Sequence, residues 1–164
     1  MTKISGGLLI LLVLSACSSR YPAPVEDREV TTRVRVPANQ DSEGVQVYSL
    51  QNPAVKQLTA QARVAERDGN LDQAGAFIER ALRIEPRDPQ LLQHMAEIKL
   101  QKADYQQALS FAVKSYDIGP RVGEICSRNW RTISVAREHL NDTDGANEAE
   151  TRAGQCMNTR PKGL

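Results

Sequence analysis

Hydrophobic residues follow three different rhythms along this chain. Residues 6–16, GGLLILLVLSA, form an apolar run without charge, preceded by Lys3. The run falls far short of the roughly 20 residues that a membrane-spanning helix needs. From Ser18 to Gly44 large apolar groups are scarce, and Pro, Ser and charged residues dominate. Such a segment cannot bury enough surface to offset its ordering entropy, so a disordered linker is expected. Inside it Val30, Thr32, Val34 and Val36 alternate with Thr31, Arg33 and Arg35. A period of two suits either a soluble spacer or an edge strand added to a partner's sheet. The spacer is favoured because an isolated strand is unstable. A second short alternation, Val45 to Leu50, is placed against the domain that follows. Beyond Asn52 the apolar residues recur three and four apart, which is the helical rhythm.

The helical part repeats itself. Residues 55–88 align without gaps on residues 89–122, with identities that include Leu58/Leu92, Ala62/Ala96, Gln73/Gln107, Ala74/Ala108, Phe77/Phe111, Ile84/Ile118 and Pro86/Pro120. Asn52-Pro53 and Asp88-Pro89 each put a capping side chain before a Pro at the first helical position, and Asn70 and Asp104 can cap the second helix of each pair. Gly69 can take the left-handed conformation that ends a helix, and Pro86 and Gly119-Pro120 stop the second helices. After Pro120 the register loosens: Val122, Ile125, Cys126, Trp130, Ile133 and Leu140 keep helical spacing, residues 141–145 read as a turn, and a last helix is expected from about Ala146 to Cys156. Ala108 to Ala146 spans 38 residues, about one extra turn. A 34-residue period with small, aromatic and Pro positions at these offsets resembles the tetratricopeptide repeat. The resemblance implies an all-α, short tetratricopeptide-type array of about three helical hairpins, occupying residues 48–160 after the tether.

The N-terminal address adds a compartment. Residues 1–16 have the charged start, apolar centre and small-residue end of a signal peptide that is removed. Leu14-Ser15-Ala16-Cys17 also resembles a bacterial lipobox, which implies acyl chains on Cys17 and lasting attachment to a membrane. Ser18 after the lipidated Cys implies the outer membrane, facing the periplasm, with residues 17–47 as lipidated Cys and linker. Setting Cys17 aside, Cys126 and Cys156 remain in a compartment that permits disulfides. Antiparallel helices around a turn near Thr143 bring the two side by side, so a disulfide is favoured over two free buried thiols.

Composition narrows the function. Lys+Arg 21 against Asp+Glu 20 leaves a formal charge of +1, so there is no long-range field to gather nucleic acid. Aromatic residues make up 4% of the chain, which leaves Ala, Leu, Ile and Val to build the core. His94 and His139 stand alone on their helices, where partly exposed surface positions are expected, and neither belongs to a metal-ligand set. No nucleophile elbow or phosphate-cradling Gly loop is present, so no enzyme, cofactor or metal site is expected.

A tetratricopeptide array instead offers a groove lined by the first helix of each pair. Carried over from the family pattern, the groove takes Lys56, Thr59, Arg63, Glu66 and Arg67 from repeat one, Gln90, Gln93, Glu97, Leu100 and Gln101 from repeat two, and Arg131 from the third hairpin. Lys56, Arg63, Arg67, Gln93, Glu97 and Arg131 are the expected partner contacts, suited to a protein segment with some acidic character. A lipidated tether carrying one small tetratricopeptide domain resembles the Lpo-type activators of bifunctional penicillin-binding proteins. That resemblance implies binding and allosteric activation of a periplasmic peptidoglycan synthase. The alternative is an adaptor in another envelope machine, such as outer-membrane protein assembly or pilus biogenesis.

Overall fold

A computed structural model describes residues 29–35 and 52–157. The expected signal peptide, Cys17, the Val45–Leu50 alternation and both expected domain boundaries lie outside the described residues. Six α-helices follow one another: α1 (Pro53–Arg67), α2 (Leu71–Ile84), α3 (Pro89–Gln101), α4 (Tyr105–Ile118), α5 (Glu124–His139) and α6 (Thr143–Gln155). Consecutive helices pair as α1/α2, α3/α4 and α5/α6, the three hairpins of the expected all-α array. No strand occurs among the described residues.

The helix starts follow the sequence signals. Asn52 Oδ1 accepts from the Ala54 amide at 2.9 Å, Asp88 Oδ1 from Gln90 and Leu91 at 2.7 and 3.2 Å, and Asn70 Oδ1 from Gln73 at 3.2 Å. Each bond satisfies an amide that the first helical turn leaves without an intrahelical acceptor. Asp104 makes no side-chain cap; its carboxylate lies 3.7 Å from Lys99 instead. The last helix begins at Thr143 rather than Ala146, because Asp142 Oδ1 accepts from Gly145 at 2.9 Å and starts the helix earlier.

One turn closes all three hairpins. Gly69, Ala103 and Asn141 carry φ of 73°, 59° and 63°, spaced by the repeat and then by the repeat plus one helical turn. The next residue's amide in each case reaches back to the helix it has left: Asn70 to the Ala65 carbonyl at 2.8 Å, Asp104 to Lys99 at 2.9 Å and Asp142 to Arg137 at 2.9 Å. This is the six-to-one bond of a Schellman cap, which needs a left-handed residue before it. The repeat thus conserves a backbone shape while its side chain changes from Gly to Ala to Asn.

Small residues let the helices approach. Ala62, Ala65 and Ala74 pack with Ile78, Met95 and Ile98 between the first two hairpins. Ala96, Ala112 and Ala149 surround Ile133 between the second and third. Helix α3 has neighbours on both sides and buries every residue from Leu91 to Ile98. In the last hairpin Ala146, Ala149 and Ala153 face inward while the rest of α6 is largely polar and exposed, which suits the open end of an array. The Cα atoms of Cys126 and Cys156 lie 5.7 Å apart, within the span a disulfide takes.

Residues 29–35 depart from the disordered linker expected there. Val30–Val34 form a single π-helical turn, closed by a 3.0 Å bond from the Arg35 amide to the Val30 carbonyl. Both valines are 0% exposed, packed with Leu100, Tyr105, Ala108, Val135 and Ala136. The spacing of four that places Val30 and Val34 on one side of a strand also places them on one side of a helical turn. Packing against the array selects the helical option.

The left-handed turns yield a paired stability prediction. A Cβ added at Gly69 meets nothing within 4 Å, so its cost is conformational alone. Gly69→Ala should lose about 1 kcal/mol, and Ala103→Gly should gain up to about 1 kcal/mol, as strain in the folded backbone outweighs the entropy of the unfolded chain. Urea denaturation of the two variants checks the signs; a stabilising Gly69→Ala would contradict the shared-turn account.

Candidate functional site

The face built by the first helix of each hairpin is where the expected groove residues gather. Two carboxylates dominate it. Glu66 near the end of α1 and Glu97 in α3 are both buried, Glu97 completely. A buried carboxylate is tolerated only with charged or hydrogen-bonding partners, and both have them. Arg35 places one guanidinium between the two: its Nε donates to Glu97 Oε2 at 2.6 Å and its Nη2 to Glu66 Oε2 at 2.6 Å. On the other side, Glu97 Oε1 accepts from Arg128 Nε at 3.1 Å and from Arg128 Nη2 more closely still. It also accepts from Gln93 Nε2 at 3.0 Å, and the same Gln93 nitrogen donates to Thr132 Oγ1 at 2.6 Å. Glu66 Oε1 is hydrogen-bonded to His94 Nε2.

The docked turn is held at its other points by matching chemistry. Arg131 Nε donates to the Val34 carbonyl at 3.0 Å, and its Nη2 to Glu124 Oε1 at 3.0 Å. Arg33 bridges Glu29 at 2.8 Å and Glu138 of α5 at 2.9 Å. The His139 ring stacks on Tyr105 with centroids 4.4 Å apart, next to the valines.

Electrostatics follow from these contacts. Burial opposes ionisation of Glu97, yet Arg128 and then Arg35 outweigh it and pull the carboxyl down to about 2. Burial likewise opposes ionisation of Glu66, and the His94 hydrogen bond and charge together with Arg35 bring it below the ordinary carboxylate value. Burial lowers the Arg131 guanidinium, only partly countered by Glu124. Arg33, through its hydrogen bond, holds Glu138 below the usual range.

The six expected partner contacts divide in two. Gln93, Glu97 and Arg131 are engaged inside, by Thr132, Arg35, Arg128, Glu124 and the Val34 carbonyl. Lys56, Arg63 and Arg67 are exposed along α1, at helical spacings of seven and four that put them in one stripe. Arg63 lines a cleft of ≈ 380 Å³ with Arg35, Thr59, Gln90, Leu91, His94, Glu97 and Arg128. His94, expected at the surface, is instead buried, because it lies on the central helix and points at Glu66. Arg35 and Arg128 were not singled out from the sequence. The signal available was indirect: two glutamates assigned to one groove need cations, and Arg128 stands one helical turn from Thr132 and Arg131 on the facing helix.

Among the described residues no group of three or more His, Cys, Asp or Glu side chains is arranged to hold a metal ion. No described helix is long and apolar enough to cross a membrane.

No protein-family model matches the sequence, and no curated protein does. Among solved structures, the globular C-terminal domain of LpoP from P. aeruginosa is similar: 31% identical, with a TM-score of 0.59, covering 63% of this chain and 97% of that domain. The match therefore spans essentially the whole of the compared domain.

The carboxylate pair makes stability depend on acid. A carboxyl whose folded pKa is depressed contributes stability above its ordinary value, near 4.3, and loses it as pH falls through the depressed one. Stability should hold from pH 7 to about 5 and decline between about 4.5 and 2. Glu97→Gln, which leaves Arg128 and Arg35 facing a neutral amide, should cost about 3 kcal/mol at pH 7. Its deficit should shrink as pH falls toward 2, measured by urea denaturation across that range. A deficit independent of pH would show that Glu97 acts through packing rather than charge.

Proposed function

The chain belongs to the Lpo family, and from that premise we propose that it is an outer-membrane lipoprotein that binds and activates a periplasmic peptidoglycan synthase of the bifunctional penicillin-binding class. The single observation that carries this reading is the likeness to the LpoP globular domain, 31% identical across 97% of it. Membership supports a regulatory role rather than catalysis. The lipobox at Cys17 and the polar tether supply the anchor and the leash in this reading.

Activation of this kind is a population shift. The domain favours the active state of the synthase only by as much as it binds that state more tightly than the inactive one. A coupling of 10-fold corresponds to about 1.4 kcal/mol of differential binding. A few well-placed contacts on a small helical array are enough to supply that. The exposed stripe of Lys56, Arg63 and Arg67 on α1 is the contact face in this reading, since the other three expected contacts are already engaged. A cationic stripe favours a partner surface with acidic side chains and speeds encounter at low salt.

A disulfide between Cys126 and Cys156 fits the same compartment. It would tie the start of α5 to the end of α6, closing the hairpin with the thinnest, Ala-based core. Mass spectrometry of the non-reduced mature protein should show residues 126 and 156 linked; alkylation of both thiols without prior reduction overturns the assignment.

Glycan polymerisation by the organism's purified bifunctional penicillin-binding protein should rise when the mature chain is added. Arg63→Glu with Arg67→Glu should weaken the interaction at least tenfold while leaving the circular dichroism spectrum unchanged. Unaltered affinity removes α1 as the contact face. No stimulation and no binding by the unmodified chain overturns the activator reading in favour of an adaptor in another envelope assembly.

A further inference from the structure

The first helices of the three hairpins line one face, and the centre of that face is filled by the chain's own residues 29–35. This segment is separated from α1 by residues 36–52, and its helical part is a single five-residue turn. One turn is too short to be stable alone, because nucleation costs more than one hydrogen bond returns. The array therefore imposes the shape, as a binding site does on a flexible ligand.

The contacts have the form of recognition. Two apolar side chains four residues apart, Val30 and Val34, fill a pocket made by α3, α4 and α5. A cation directly after the second enters a slot between two buried carboxylates from α1 and α3. Arg131 reads the carbonyl that joins the two elements. The slot suits a guanidinium rather than an ammonium, since separate nitrogens, Nε and Nη2, reach Glu97 and Glu66 at once, which a point charge cannot match.

We propose that the groove is a peptide-binding site for a helical turn bearing two apolar residues four apart followed by arginine, and that Glu29–Arg35 is its resident, displaceable ligand. A partner segment of that chemistry occupies the same pocket only when the resident turn leaves it. The resident has an advantage of connection: through a linker of this length it is present at an effective concentration of the order of millimolar. A competing segment overcomes that by tighter contacts, or by being delivered as part of a larger interface.

The test uses the mature chain in detergent and, as probe, a fluorescein-labelled peptide with the sequence of residues 28–36. Fluorescence anisotropy should show weak binding to the unmodified chain. Binding should be at least tenfold tighter to a Val34→Asp/Arg35→Glu variant, whose own turn no longer competes. On that variant, a peptide with Lys at the position of Arg35 should bind at least threefold more weakly, and one with Glu there at least tenfold more weakly. The peptide-side changes leave the protein untouched, so no folding defect can mimic them. Equal affinity of the probe for the two proteins, or indifference to the residue in the Arg35 position, overturns the proposal. Neither readout involves a synthase, so the result is independent of whether the activator reading holds.

Discussion

A carboxylate with no exposure to water has to be answered by positive charge, and Glu97 at the middle of α3 sets that demand for the whole inner face. An isolated ion in this position would either take up a proton or unfold the site. It does neither because it is approached from two directions. Arg128 comes from the third hairpin, and Arg35 comes from a segment far earlier in the chain. Gln93 holds the carboxylate on its own helix while bonding Thr132 across the interface. One charge thus joins the second hairpin to the third and both to the N-terminal segment. Glu66 repeats the arrangement on a smaller scale, linking the first hairpin to His94 of the second and to the same Arg35. The array is held by alanine packing at its interfaces and by ion pairing on its inner face.

Much of this was legible in the sequence because helical repeats write their geometry in local signals. The cap residues Asn52, Asn70 and Asp88 stand directly beside the helices they begin, and the period of 34 locates the turns of the first two hairpins. The inner face was less legible for two reasons. Val30 and Val34 are four apart, and that spacing satisfies a strand and a helical turn equally; only the pocket between α3, α4 and α5 chooses. His94 looks like a surface residue because its neighbours in sequence are mixed, whereas it is buried facing Glu66 of α1, which sequence spacing does not report. Arg35 likewise carried no mark that distinguished it from the solvated charges around it. Long-range charge pairing is a property of the assembled groove, so it could be seen only as a demand by Glu66 and Glu97 for cations not yet identified.

The two halves of the expected contact set now have different physical standing. Side chains at the groove centre have already exchanged water for protein partners, and a second ligand gains from them only by replacing those partners one for one. The α1 stripe has made no such exchange. Lys56, Arg63 and Arg67 remain hydrated, so a partner meeting them gives up little and gains mostly rate and orientation. Contact with a partner is therefore made first at the rim, and the centre adds to affinity only where its resident partners are displaced. The cleft that Arg63 shares with Arg35 and Glu97 is the point where the two meet.

Docking of residues 29–35 also limits how far the array can stand from the N-terminal end of the tether. From Cys17 to Glu29 the chain has 12 residues, a contour of roughly 40 Å at about 3.3 Å per residue. From Cys17 to Asn52 it has 35, roughly 115 Å. While the turn is seated, the shorter figure is the maximum, because its valines and Arg35 fix the segment to α3 and α5. Release of the turn exposes the groove and lengthens the leash in the same step. In the reading proposed above, with Cys17 as the membrane anchor, a domain held close to the membrane is one whose groove is occupied, and a domain extended toward its synthase is one whose groove is open. In that reading reach and binding capacity are coupled by a single salt-bridged turn.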